Sequence, residues 1–127
     1  MSKHTPGPWT TDEADHDMPM QDIRIIAGPH RRVALVWIDD APVEDFNREQ
    51  RANARLIAAA PDMLDALRLH QAWSDSERSG PDYGGQKRDT HPDGEIIWRR
   101  WWDNQIDLCD RATKATAAAI AKAEGRA

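Results

Sequence analysis

A single proline interrupts the longest helix-compatible stretch of this chain, and it constrains the fold more than any other residue. Residues 48–73 contain no glycine and only one proline, Pro61. Proline lacks a backbone N–H and its ring collides with the preceding turn, so it breaks a helix interior yet suits the first turn of a helix. The stretch therefore reads as a helix over 48–60 and a second one opening at Pro61, a bent pair with almost no loop between. Asn47 is placed to cap the first helix, with Gln50 at the reciprocal capping-box position. Its apolar stripe reads as Ala52, Leu56, Ala59 and Ala60, widened by Ile57. Asp62 and Asp65 favour the positive end of the second helix, and Met63, Leu64, Leu67 and Gln71 mark its inner side.

The N-terminal third has strand character. Pro6 and Pro8 flank Gly7, which excludes helix there, and Trp9-Thr10-Thr11 can begin a short strand. Ile23-Arg24-Ile25-Ile26-Ala27 is β-branched, Gly28-Pro29-His30-Arg31 is turn chemistry, and 32–38 is the strongest strand. There Val33, Leu35 and Trp37 fall on one face and Ala34, Val36 and Ile38 on the other. Both faces are apolar, which implies a central strand or one covered on its second side. About three antiparallel strands form too small a sheet to stand without a helix packed on it. A long C-terminal helix is expected over 95–123, where Ile97, Trp98, Trp101, Ile106, Cys109, Ala112, Thr116, Ala119, Ile120 and Ala123 recur at helical spacing. Gly125 is its expected terminator. Residues 74–94 hold four glycines and two prolines and read as a long flexible loop. The expected fold is a single α+β domain over 1–127, a small antiparallel β-meander packed on the bent helix pair and the long C-terminal helix.

Composition narrows the function classes. Of 127 residues, 39% are hydrophobic and 31% charged, with a mean hydropathy of -0.80, so the apolar supply for one core is thin. A subunit interface would supply burial that a monomer lacks, and a homo-oligomer is expected. The net charge of -5 opposes stable double-stranded DNA binding and anionic membranes at long range. Cys109 is the only cysteine, which removes an internal disulfide and any multi-cysteine metal site; it reads as an ordinary buried thiol. No apolar run approaches a membrane span and residues 1–8 lack a signal-peptide core, so the cytoplasm is expected.

No catalytic constellation emerges, and neither a cofactor nor a metal is implied. His4, His16, His30, His70 and His91 lack metal-ligand spacing; a site assembled from His4, His16 and a carboxylate is the enzymatic alternative. The acids Asp12, Glu13, Asp15, Asp17, Asp39 and Asp40 read as solvated loop and strand-end residues. Tyr83-Gly84-Gly85-Gln86-Lys87-Arg88 is the segment best suited to an anion, because glycines let backbone N–H groups converge while Lys87 and Arg88 add charge. Trp98-Arg99-Arg100-Trp101-Trp102 is the oddest stretch, since neighbouring helical positions point about 100° apart and three indoles cannot share one narrow core. Trp98, Trp101 and Trp102 can share one broad side, with Arg99 and Arg100 towards solvent. Indoles stack on bases and arginine pairs with phosphate, which fits a nucleotide; the same types anchor cores and protein interfaces.

Three segments carry a resemblance. His4-Thr5-Pro6-Gly7-Pro8-Trp9, the 52–64 segment ANARLIAAAPDML and the alanine-rich 118–123 resemble a large group of small phage and prophage proteins with HTPGPW-like and NARLIAAAP-like motifs. The stretch from Trp73 to Trp102 departs from that pattern. The resemblance implies a phage accessory protein acting in the host bacterium's cytoplasm. It makes Asn53 a candidate hydrogen-bond partner of the Pro6–Pro8 turn and Arg55 a candidate partner of a carboxylate or anionic ligand. The expected function is a non-enzymatic binding protein that counters host antiviral defence, by sequestering a small nucleotide signal or occluding a defence protein. Its ligand-contact candidates are Trp98, Arg99, Arg100, Trp102, Lys87, Arg88, Arg55, Trp9 and His4. The alternatives are a small metal-dependent hydrolase or nuclease using loop His and Asp residues, and a structural or regulatory accessory protein without a ligand.

Overall fold

A computed structural model describes residues 4–12, 22–29, 31–37 and 44–126, the side chains of Asp22, Trp37 and 44–47 aside. His16, His30, Ile38, Asp39, Asp40 and the acids at 13–17 lie outside the described residues. The chain is α+β: strands β1 (Thr10–Asp12), β2 (Asp22–Ile26) and β3 (Arg32–Trp37), then helices α1 (Glu44–Ala58), α2 (Ala60–Ser79) and α3 (Gly94–Glu124). It divides into two compact units, Met1–Leu64 with Ala117–Ala127, and Asp65–Thr116. Helices α2 and α3 each contribute to both.

The first unit is built on the sheet, an antiparallel meander in the order β1-β2-β3. Alternation puts Ile23 and Ile25 on one face, with Val36 opposite Ile23 and Ala34 opposite Ile25. Both isoleucines are fully buried, and with Val36, Ala54 and Ala58 they form the core that Trp9, Val33 and Ala34 pack against. The opposite face carries Arg24 and Leu35, paired across the strands and exposed. Thus β2 is the central strand, and the second apolar face that the sequence implied for β3 is open at Leu35. The register slips at Val33, between the Ile25–Ala34 and Ile26–Arg32 pairs, which is how Val33 joins the core beside Ala34.

Helix α1 covers the sheet through Ala54 and Ala58, one turn apart, and makes contact with all three strands. Of the expected stripe, Ala59 is buried and Ala60 half-buried, but Ala52 is exposed, and so are Leu56 and Ile57 at 51% and 38%. Asn47 also lies inside the helix, which starts three residues earlier at Glu44. The bend falls where proline dictates. Helix α1 ends at Ala58 and α2 begins at Ala60, with the Met63 amide donating to the Ala59 carbonyl at 2.9 Å.

Two of the motif segments meet within this unit. Pro61 is buried, and a Cβ built on Gly7 would lie 2.7 Å from its Cβ. The Pro–Gly–Pro turn is therefore docked on the helix break, and glycine is required at position 7 for that approach. Trp9 continues the segment, its indole N–H donating to the Thr5 carbonyl at 3.2 Å. Asn53, the expected partner of this turn, is exposed, and Pro61 takes its place. The end of α3 closes the unit. Gly125 adopts φ 72°, and the Arg126 amide reaches back to Ala121 at 2.7 Å while the Gly125 amide reaches Lys122 at 3.2 Å. That is a Schellman terminator, as the glycine suggested. Lys122 pairs with Asp62 at 2.7 Å.

The second unit is an antiparallel helical hairpin. His70 Nε2 and Thr116 Oγ1 hydrogen-bond at 2.8 Å, and the Trp101 indole N–H donates to the Ser76 carbonyl at 3.1 Å, so the order along α3 reverses that along α2. Helix α2 runs to Ser79, further than the sequence indicated, and Gly80 at φ 66° ends it. The connection shrinks to 80–93. On α2 the inner residue is Ala66, 5% exposed, whereas Leu67 and Gln71, expected inside, face outward. Small residues win these positions because they let helices approach closely.

Replacing Gly7 by Ala overpacks the turn against Pro61, and a loss of about 1–3 kcal/mol is expected. A lowered urea midpoint at unchanged slope measures it.

Candidate functional site

The site residues in the second unit are positioned by the loop 80–93 and the first turns of α3. The loop is folded on itself. The Gly84 amide donates to Asp82 Oδ1 at 2.8 Å, the Gln86 amide to the Tyr83 carbonyl at 3.2 Å, and the Lys87 amide to Thr90 Oγ1 at 3.0 Å. Gly84 and Gly85 have φ of 63° and 86°, a turn that residues with side chains rarely adopt. Three of the amides expected to converge on an anion, those of Gly84, Gln86 and Lys87, are thus engaged inside the loop. At its end, a Cβ on Gly94 would run into the carbonyl oxygen of Arg88, so the loop backbone lies directly on the start of α3.

That approach places Arg88. Its guanidinium donates through Nε and Nη2 to the two Glu95 oxygens at 2.7 and 2.9 Å, and sits 4.1 Å from the centre of the Trp98 ring. Trp102, one turn further on, stacks on Trp98 with ring centres 5.7 Å apart and planes 6° apart. Trp98 is half-buried, in contact with both a cation and an indole. Trp101 is tilted 44° to Trp102 and turns inward to Ser76. Arg99, Arg100 and Lys87 are exposed, and Trp102 is 46% exposed. The bidentate hydrogen bonds from Arg88 hold the Glu95 carboxyl below its usual range, and the same contact raises Arg88. With the side chains 39% and 74% exposed, this pair fixes geometry more than it stabilises.

Beyond the stacked indoles runs an open groove of about 410 Å³, lined by Glu77, Trp102, Gln105, Ile106, Cys109, Asp110 and Thr113. Gln105 is 4% exposed, and neither its amide nitrogen nor its oxygen has a hydrogen-bond partner. A buried carboxamide with both functions unpaired is rare in folded proteins. No motif in the sequence marks it. The signal was the seven-residue repeat Trp98, Gln105, Ala112, Ala119, whose last three members are all buried. Ile106 and Ile120, expected on the inner side, are 53% and 44% exposed. Cys109, expected buried, is half-buried in the groove wall.

The remaining candidates belong to the other unit. His4 is exposed, Trp9 packs on the sheet core, and Arg55 lies against the Gly125 terminator, where a Cβ would be 2.8 Å from its Nε. The Arg55 Nε is buried and unpaired, so the expected carboxylate or anion contact is replaced by packing on a helix end. The structure therefore brings together Arg88, Trp98 and Trp102, and places Trp9, His4 and Arg55 in a separate unit. Among the described residues, no group of three or more His, Cys, Asp or Glu could hold a metal ion, and no helix is long and apolar enough to cross a membrane.

The profile of the family described as Salmonella phage P22 protein Y8K6 matches residues 1–127. No curated protein and no solved structure matches the chain.

The Arg88–Glu95 contact makes the indole stack acid-sensitive. Because the folded-state carboxyl is lowered, its contribution is present above the unfolded carboxyl value and lost as pH falls through the folded one. Tryptophan emission should change reversibly in that acid range, and Glu95→Gln should flatten the transition.

Proposed function

Since the chain belongs to the family of Salmonella phage P22 protein Y8K6, we propose that it is a non-enzymatic phage binding protein that counters host antiviral defence by occluding a defence protein. The observation that carries this choice over nucleotide sequestration is that the Trp98 ring is already engaged. A base needs a free indole face, but Arg88 lies over the Trp98 ring at 4.1 Å and Trp102 is stacked on it with centres 5.7 Å apart. Arg88 is also bound by Glu95, which takes up the charge a phosphate would need. The loop amides at Gly84, Gln86 and Lys87 are spent on their own turn.

What α3 offers instead suits a protein surface. Ile96 is 52% exposed and Arg100 follows it by four residues, so the two are neighbours on one outward face. Arginine beside an exposed apolar group is a common anchor of protein interfaces, and an acidic partner bearing an apolar spot complements it. Such a partner would be met in the host cytoplasm.

Expression of the chain in a host with an active antiviral defence is expected to raise phage plating efficiency. Ile96→Asp combined with Arg100→Glu should reverse that gain by at least ~10-fold, the effect of losing about 1.4 kcal/mol of binding, while the far-ultraviolet spectrum stays unchanged. Calorimetry with cyclic and ADP-ribose-type nucleotides is expected to be silent. Micromolar binding of any of them would return the reading to sequestration, and turnover of one would favour an enzyme.

A further inference from the structure

We propose that the groove face of α3 is where two copies of this chain meet, antiparallel about a twofold axis beside Gln105. The helix carries two parallel lines of residues. One, through Gln105, Ala112 and Ala119, is buried within its own chain. The other, through Trp102, Ile106, Cys109 and Thr113, is spaced by four, three and four residues and lines the open groove. Spacing of that kind is a seam for another helix, and it continues an apolar stripe beyond what the hairpin itself covers. Ile106 at 53% and Trp102 at 46% are exposed in the single chain.

Two features select a second copy over other occupants. The first is Gln105, whose carboxamide has one unpaired donor group and one unpaired acceptor at the groove floor. The group is covered, so it reaches the seam only by turning about its side-chain torsions. There the same carboxamide from a second copy matches it donor to acceptor, as any self-complementary group does across a twofold. A single polar residue within an apolar helix seam also fixes register. The second feature is charge. Arg99 lies six residues before Gln105 and Asp110 five after it, both exposed. Antiparallel packing about Gln105 brings Arg99 of each copy beside Asp110 of the other, twice over, whereas parallel packing sets like against like. Asp110 has Lys114 at 2.9 Å within its own chain, an exposed pair that exchanges partners at little cost. Glu77 and Asp110 on the groove rim make an anionic small molecule a poor alternative occupant.

Light scattering and sedimentation equilibrium on the full chain are expected to report a dimer. Arg99→Asp and Asp110→Arg should each weaken it by ~10-fold or more, and the double exchange should restore it, a coupling that a merely structural role would not produce. Both positions are on the surface, so folding is not at stake. A monomer at about 100 µM, or a dimer indifferent to the single charge exchanges, would overturn the proposal. The outcome is separable from the defence reading, because plating efficiency is scored independently through Ile96 and Arg100. A monomer that still protects phage sinks only the dimer.

Discussion

Close backbone approach through small side chains is the constraint on which the rest of this structure depends. Among the described residues the buried apolar set is Ile23, Ile25, Val36 and six alanines, Ala54, Ala58, Ala59, Ala66, Ala112 and Ala119. Alanine lets helices and sheet come near, but each one buries little apolar area, and the hydrophobic gain scales with area. The bulky residues that a conventional core would absorb are left outside: Leu56, Ile57, Leu67, Ile106 and Ile120. A thin interior and an apolar exterior are two sides of one choice.

The same economy appears at the ends of the elements. Gly7 lies against Pro61, Gly94 against the Arg88 carbonyl, and Gly125 under the Arg55 side chain. At each place a Cβ would meet another group too closely, so glycine is needed for contact, and at Gly125 for its φ of 72° as well. These contacts join turn to helix break, loop to helix start, and one helix end to another within a unit. The HTPGPW-like and NARLIAAAP-like segments meet in this way: the glycine of one is the space into which the proline of the other fits.

The tryptophan cluster shows how tertiary contacts reassign chemistry that composition leaves open. Read as residue types, Trp98, Arg88 and Trp102 make a nucleotide clamp. Arranged as they are, the cation lies over one indole, the second indole stacks on that same ring, and Glu95 satisfies the cation. The cluster thereby becomes a fastener for the 80–93 loop, while Ile96, Arg100, Trp102 and Ile106 stay exposed along α3. The orphan carboxamide of Gln105 is the counterpart, a residue of no apparent interest in the sequence whose burial without a partner marks the groove.

The sequence by itself determined the local elements. Period-two alternation located the strands, Pro61 located the break, and helical recurrence with Gly125 located α3 and its end, because these depend on backbone sterics and on spacing within one segment. It also pointed to a small phage protein, which the family match over residues 1–127 supports. Which face of each helix turned inward was decided only in three dimensions. The sequence favoured Leu56, Leu67 and Ile106 alongside Ala59, Ala112 and Ala119; the structure buried those alanines together with Ala58 and Ala66, and left the larger residues exposed. The reason is physical: hydrophobicity is a property of one side chain, whereas burial depends on the distance between two backbones, and that distance is written in neither segment alone.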